Sequence, residues 1–276
     1  MTRKIIQFLA FLGSNAYLPG FLRWRIYQGP LKYMCVPGLN CHSCPSAVFS
    51  CPVGSLQAVI SSYQYRFSFY ITGLLMLFGL LFGRLICGFL CPFGLFQELL
   101  HKIPFPKIRS LWKPLLRLKY VIFVVFVLAL PALLRGNIGI GDPAFCKYIC
   151  PAGTITAGIP LLLANPEMRE AIGWLFLLKA VIAFITVLGC LSVYRFFCRV
   201  MCPLGAFYSL FNKLALYRLS FCKENCVRCG TCSNVCKMMV NPTQTPNSPE
   251  CIRCGDCVKA CPSSALKAGW GVKNIH

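Results

Sequence analysis

Twenty cysteines stand in this chain, and eight of them form two runs of one spacing, Cys226-x2-Cys229-x2-Cys232-x3-Cys236 and Cys251-x2-Cys254-x2-Cys257-x3-Cys261-Pro262. Soft thiolates at two-residue gaps on a tight loop can wrap an iron-sulfur cube while backbone N–H groups point at its sulfurs. In a two-cluster arrangement the fourth cysteine of each run reaches across to the other cluster. The spacing therefore predicts one 4Fe-4S cluster on Cys226, Cys229, Cys232 and Cys261 and a second on Cys251, Cys254, Cys257 and Cys236. Paired Cys-x2-Cys units also build zinc sites, but those rarely set three cysteines at two-residue gaps and then close on Cys-Pro. The chemistry read from this end of the chain is electron transfer.

A second cysteine pattern fills the rest of the sequence. Cys51-Pro-Val-Gly54, Cys91-Pro-Phe-Gly94, Cys150-Pro-Ala-Gly153 and Cys202-Pro-Leu-Gly205 are copies of one unit, which marks an internal repeat. Three copies have another cysteine four residues earlier, Cys87, Cys146 and Cys198. Arg84 and Arg195 stand three residues ahead of Cys87 and Cys198, and Gln57 and Gln97 follow six residues after Cys51 and Cys91. Proline suits the first position of a helix, where its missing N–H costs nothing. Each unit should start a short helix whose positive end faces the thiolates and any anionic cluster they hold, with the glycine allowing close approach.

Apolar elements must position these cysteines. Residues of the AVILMFWYC class make up 57% of the chain and only 13% are charged, and stretches near 5–22, 67–86, 117–135 and 172–194 approach the length that crosses about 30 Å of hydrocarbon. Ser14, Asn15 and Pro19 interrupt the first, and no small-residue cleavage site follows to make it a signal peptide. The expected fold is an α-helical membrane protein: about four transmembrane helices, short Cys-Pro-x-Gly helices at the faces, and a small α+β two-cluster domain at the C-terminus. Domains are expected at 1–221 and 222–276. With four spans, the N-terminus, the 87–116 loop and everything after 194 share one face, which holds most of the Lys and Arg. The opposite loops carry only Arg23, Arg25, Lys32, Arg66, Arg135, Lys147 and Arg169. That asymmetry predicts an inner-membrane protein with its N-terminus and C-terminal domain in the cytoplasm. The formal charge of +21 is spread over loops beside anionic lipid, so nucleic acid is not an expected partner.

This topology sorts the membrane cysteines. Cys87, Cys91, Cys198 and Cys202 fall at the cytoplasmic face, one cluster's complement, with Arg84 and Arg195 placed to offset its charge. Cys35, Cys41, Cys44, Cys51, Cys146 and Cys150 fall at the far face as candidates for a further cluster. Cys51, Cys146 and Cys150 carry the repeat; Cys44, followed by proline, is the best fourth, and Cys41 stands close behind. Disulfides are the alternative there if that side is oxidising. Cys190 reads as a buried apolar residue, and Cys222 as spare or joined to a neighbour. His42, His101 and His276 are isolated; Asp142 and Glu98 are expected to pair with lysines. No catalytic acid-base set or nucleophile stands out. A direct electron hop over the full membrane thickness would be slow, so the Cys-Pro helices must dip inward, or a partner subunit, flavin, haem or quinone must bridge.

The apolar spans, the Cys-x3-Cys-Pro pairs and the double cysteine run together resemble the NapH/NosR-like membrane-bound ferredoxin-type proteins, over nearly the whole chain. The resemblance implies an electron-transfer subunit between the quinone pool and a redox partner subunit carrying flavin, haem or iron-sulfur. The first-loop cysteines from Cys35 to Cys51 and the Cys146/Cys150 pair depart from the family pattern and suggest a metal centre at the far face as well. Two other roles share these residues: an electron-delivering maturation or regulatory protein, and a zinc- or disulfide-stabilised membrane anchor.

Overall fold

The computed structural model describes residues 2–61, 69–134, 141–170 and 172–271; Arg66, Arg135 and His276 lie outside them. Among the described residues two helices are long and apolar enough to cross a membrane, Lys113–Leu133 and Trp174–Ser192, while Phe69–Phe82 and Pro151–Ala164 are shorter. The N-terminal helix, Thr2–Ser14, ends well before residue 22. Ser14 Oγ turns back to the Ala10 carbonyl (2.7 Å) and Asn15 Nδ2 to the Phe11 carbonyl (3.1 Å), the local competition for backbone that makes such residues weak helix formers. A separate short turn, Leu18–Arg23, then starts around Pro19. Two of the four expected spans thus reach crossing length.

These helices turn apolar faces outward: Ile5, Phe8 and Leu9; Phe69 and Leu77; Val121 and Val124; Leu177, Phe184 and Ile185 are all exposed. The Lys113–Leu133 helix widens to π geometry over Phe123–Ala129, and Pro151–Ala164 does so over Thr154–Gly158. Each wide stretch ends two residues before a proline, Pro131 or Pro160, whose ring and missing N–H disturb the i→i−4 ladder.

Every Cys-Pro-x-Gly unit opens a helix, Pro52–Ser61, Pro92–Leu100, Pro151–Ala164 and Pro203–Phe211. Their packing makes one buried cluster in which Leu39, Ile86, Phe93, Phe145, Phe197 and Tyr208 surround Cys51, Cys87, Cys91, Cys150 and Cys202.

The C-terminal unit is a two-stranded antiparallel sheet, β1 (Tyr217–Phe221) and β2 (Leu266–Trp270), with short helices Thr231–Val235 and Asp256–Lys259 between them. Tyr217 pairs with Trp270 and Phe221 with Leu266, so the strand just ahead of residue 222 belongs to this unit. Trp270 packs on Tyr217 and on Phe82, with ring centroids 5.6 and 5.4 Å apart. Buried polar contacts lock the unit to the helices: Arg84 to Glu250 at 2.9 Å, Lys119 to the same carboxylate, and Arg253 Nη1 to the Phe82 carbonyl at 2.8 Å. Asn212 Nδ2 donates to the carbonyls of Ser248 and Cys251 at 2.6 and 2.8 Å.

Candidate metal centres

In the C-terminal unit Cys226, Cys229, Cys232 and Cys261 line one cavity of 410 Å³, and Cys236, Cys251, Cys254 and Cys257 line a second, far tighter one. The last cysteine of each run therefore faces the other run's first three. The loops make this possible by changing hand: Arg228, Gly230 and Met239 have positive φ, and Arg253, Gly255 and Ser264 repeat it at the matching positions of the second run. Left-handed residues interleaved with right-handed ones turn successive N–H groups inward and form an anion-binding nest.

Cys87, Cys91, Cys198 and Cys202 converge in the helical core, each at most 5% exposed. Two pairs from different parts of the chain meet here, and each holds the other. Arg84, on the Cys87 side, donates to the Cys198 carbonyl at 3.0 Å, and Arg195, on the Cys198 side, donates to the Cys87 carbonyl. Each guanidinium also meets a carboxylate, Glu250 for Arg84 and Glu98 for Arg195. Both arginines are therefore fully buried cross-braces, and both charges also lie near the Cys87 thiol, to which Arg84 donates. Glu98 pairs with Arg3 and Arg195, not with lysine. Burial alone would raise its pKa, but the Arg3 hydrogen bond and the Arg195 charge outweigh that and hold it down to about 2. Asp142 does pair with a lysine, Lys147.

A third cavity, of 620 Å³, is lined by Cys41, Cys51, Cys146 and Cys150. The position four residues before Cys51 is Ala47, so this copy of the repeat lacks the cysteine its siblings have. Cys41 fills the gap from the first loop, its Sγ 3.5 Å from where a Gly153 Cβ would sit. Cys44 lies elsewhere, its Sγ 3.3 Å from Ser46 Oγ, and Cys35 donates to Ser55 Oγ at 3.3 Å. Lys179, from the first third of Trp174–Ser192, also lines the cavity. A lone cation inside an apolar span was the sequence signal for it. His42 sits at the rim against Ser50 Oγ (3.2 Å), and His101 bonds the Cys190 carbonyl (3.2 Å). Cys222 continues the β1/β2 pairing through its backbone N–H to Ala265.

The cysteine groups touch in series. A Cβ on Gly88, next to Cys87, would stand 2.8 Å from the carbonyl of Ile252, next to Cys251. On the other side, Cys91 Sγ reaches the Leu39 carbonyl at 3.9 Å, Gly38 packs on the Cys91 backbone, and Tyr208 Oη donates to the Pro37 carbonyl at 3.0 Å. Leu39 lines the Cys41 cavity as well. The first loop thus dips inward to separate two cysteine groups by the Leu39–Cys41 backbone, a reach of roughly 7 Å. The loop comes this close because Gly38 leaves no side chain between the backbones.

The donor chemistry fits an iron-sulfur cube. In all four Cys-Pro-x-Gly units the glycine backbone N–H is directed at the cysteine sulfur, at 3.3 Å for Gly205 and Cys202, the position an N-cap acceptor takes. Burial pushes the Cys51, Cys91 and Cys146 thiols up to about 12, so they keep their protons unless a metal replaces them. Among the described residues no three His, Cys, Asp or Glu side chains are gathered tightly enough for a single metal ion.

A 4Fe-4S binding domain family matches the chain three times, over residues 67–113, 117–164 and 171–221, and a second 4Fe-4S binding domain matches 247–267. Each of the three matches takes in an apolar segment and one Cys-x3-Cys-Pro pair, so the Cys146/Cys150 pair falls inside the family pattern. The uncharacterised protein MJ0750 of Methanocaldococcus jannaschii is 30% identical over 204 residues, 70% of this chain and 75% of its own. The methylamine utilization ferredoxin-type protein MauN of Methylorubrum extorquens is 27% identical over 159 residues, 56% of this chain and 47% of its own. The regulatory protein NosR of Pseudomonas aeruginosa is 31% identical over 173 residues, 58% of this chain and 21% of its own. No solved structure matches. Repeat, cysteine groups and relatives agree: the chain belongs to the 4Fe-4S binding domain family, as an iron-sulfur electron-transfer protein of the NapH/NosR ferredoxin type.

Proposed function

We propose that the chain is a membrane-integral relay for single electrons, running from a cytoplasmic C-terminal domain to the opposite membrane face, with a partner redox subunit or a quinone at its far end. Four groups would hold 4Fe-4S clusters: Cys226, Cys229, Cys232 and Cys261; Cys236, Cys251, Cys254 and Cys257; Cys87, Cys91, Cys198 and Cys202; and Cys41, Cys51, Cys146 and Cys150. When bound, each cluster supplies a one-electron couple. The observation that carries the reading is the serial contact of these groups through Ile252 against Gly88 and Leu39 against Cys91. The chain's residues keep water out of the inner groups, direct N–H groups at their sulfurs, and hold neighbouring groups a residue or two apart.

Outward apolar faces on Thr2–Ser14, Phe69–Phe82, Lys113–Leu133 and Trp174–Ser192 support membrane insertion, since a soluble protein's core helices turn such faces inward. Lys and Arg clustered between Arg84 and Lys119 and after Arg195 support a cytoplasmic C-terminal domain. Anaerobic purification of the full chain from membranes tests the proposal by iron analysis and EPR. About sixteen iron atoms per chain and reducible cubane signals are expected; a membrane protein holding zinc or disulfides in place of iron would refute it.

A further inference from the structure

Gln57 and Gln97 hold equivalent places in two copies of the repeat, and both side chains are fully buried. Each reaches out of its own unit to a cysteine of the pair that completes the group. Gln97 Nε2 donates to Cys198 Sγ at 3.0 Å, and Gln57 Nε2 donates to Cys146 Sγ at 3.3 Å. The other end of each amide is fixed by a backbone donor beside the same cysteine. Gln97 Oε1 accepts from the Cys198 N–H at 3.4 Å, and Gln57 Oε1 accepts from the Phe145 N–H at 2.9 Å. Cys190, 1% exposed, adds its Sγ to Gln97 Oε1 at 3.6 Å. With the oxygen ends occupied by donors, each amide nitrogen is turned to acceptors, the sulfur and the carbonyl four residues back, Val53 for Gln57 and Phe93 for Gln97, both at 3.3 Å.

We propose that Gln57 and Gln97 set the reduction potentials of the two clusters held in the helical core, each through one N–H donated to a ligand sulfur. This rests on the cluster assignment above. Adding one electron raises the negative charge on a cluster and its thiolates, and a donor aimed at a thiolate stabilises that reduced form, so the bond raises the potential. Backbone N–H groups serve every Cys-Pro unit alike, and they survive any side-chain change. The two amides are therefore adjustable donors, one per cluster, beside Arg84 at Cys87 and Thr156 at Cys41, and they act as positioning residues without ligating iron.

The test is an EPR-monitored redox titration of full-length, iron-loaded protein carrying Gln97→Leu or Gln57→Leu. Losing a hydrogen bond to a charged acceptor is expected to change the reduced-to-oxidised ratio about tenfold at fixed potential, which is about 59 mV downward for a one-electron couple. Each variant should move one midpoint and leave the others in place. Gln97→Glu, of nearly the same volume, separates tuning from packing: it should keep its iron and titrate at least as low as Gln97→Leu. Full iron with unmoved midpoints overturns the proposal. Loss of iron from both Gln97 variants also overturns it and makes the amide a structural clamp. A wild-type protein with iron only for the C-terminal clusters, about eight atoms, would instead sink the cluster assignment itself.

Discussion

Glu250 gives the sharpest test of how the C-terminal unit is joined to the helices. Its carboxylate meets Arg84 Nη1 at 2.9 Å and also Lys119, and both cationic side chains have no exposed surface. Glu250→Ala leaves two buried cations facing each other across the junction. Breaking a buried pair from one side costs about 3–5 kcal/mol, because the orphaned charge keeps its desolvation penalty. Arg84 keeps the carbonyls of Pro249 and Cys198, so most of the loss falls on Lys119. In a chain of this size such a loss lowers the melting temperature by roughly 6–20 °C. Lys119→Met should cost less, since it removes a buried charge while the Arg84–Glu250 pair survives. The Glu250→Ala/Lys119→Met double variant should then be more stable than Glu250→Ala alone. Thermal unfolding in detergent, followed by fluorescence of Trp270 at the junction, reads both effects. A Glu250→Ala protein that melts with the wild type, or a double variant no better than the single, refutes the reasoning.

Other expectations follow from the same geometry. Cys41→Ser should remove about four iron atoms per chain, whereas Cys44→Ser should retain full iron; the reverse pattern in iron analysis would reassign the fourth ligand. Gly88→Ala drives a methyl to 2.8 Å from the Ile252 carbonyl, so it should slow electron transfer between the C-terminal unit and the core several-fold without loss of iron, as read by flash photoreduction. Because Glu98 is held at about 2, below its ordinary value, its contribution of ~2 kcal/mol, after allowance for solvent screening, is complete above that ordinary value. It disappears as the pH falls through about 2, and Glu98→Gln should flatten that part of a stability-against-pH curve measured by denaturant unfolding.

What was legible in the sequence was whatever depends on neighbours along the chain. The exchange of Cys236 and Cys261 between the two runs follows from spacing, and a helix after each Cys-Pro follows from proline's fixed φ. The choice between Cys41 and Cys44 was not legible, because Pro45 made Cys44 look like a fifth copy of the repeat. In the fold Pro45 serves packing instead: its carbonyl occupies the space a Gly20 side chain would need, and the neighbouring Ser46 carbonyl accepts from the Tyr17 N–H. The carboxylate partners of Arg84 and Arg195 were hidden for a related reason, since Glu250 and Glu98 stand 166 and 97 residues away from them. Residues read from the sequence for their charge also hold two repeats together. The dip of the first loop rests on Gly38 against Cys91, a contact between segments that share no periodic pattern.

Because every cysteine group draws on distant segments, the order of synthesis limits when each can close. The Cys41 group waits for Cys150, the Cys87 group for Cys202, and the two C-terminal groups for Cys257 and Cys261. As the chain leaves the ribosome, the Cys41 group is completed first and the two C-terminal groups last. Until its last partner emerges each early cysteine waits as an unpaired thiol, so a cluster can be inserted only once every segment of its own group has been made.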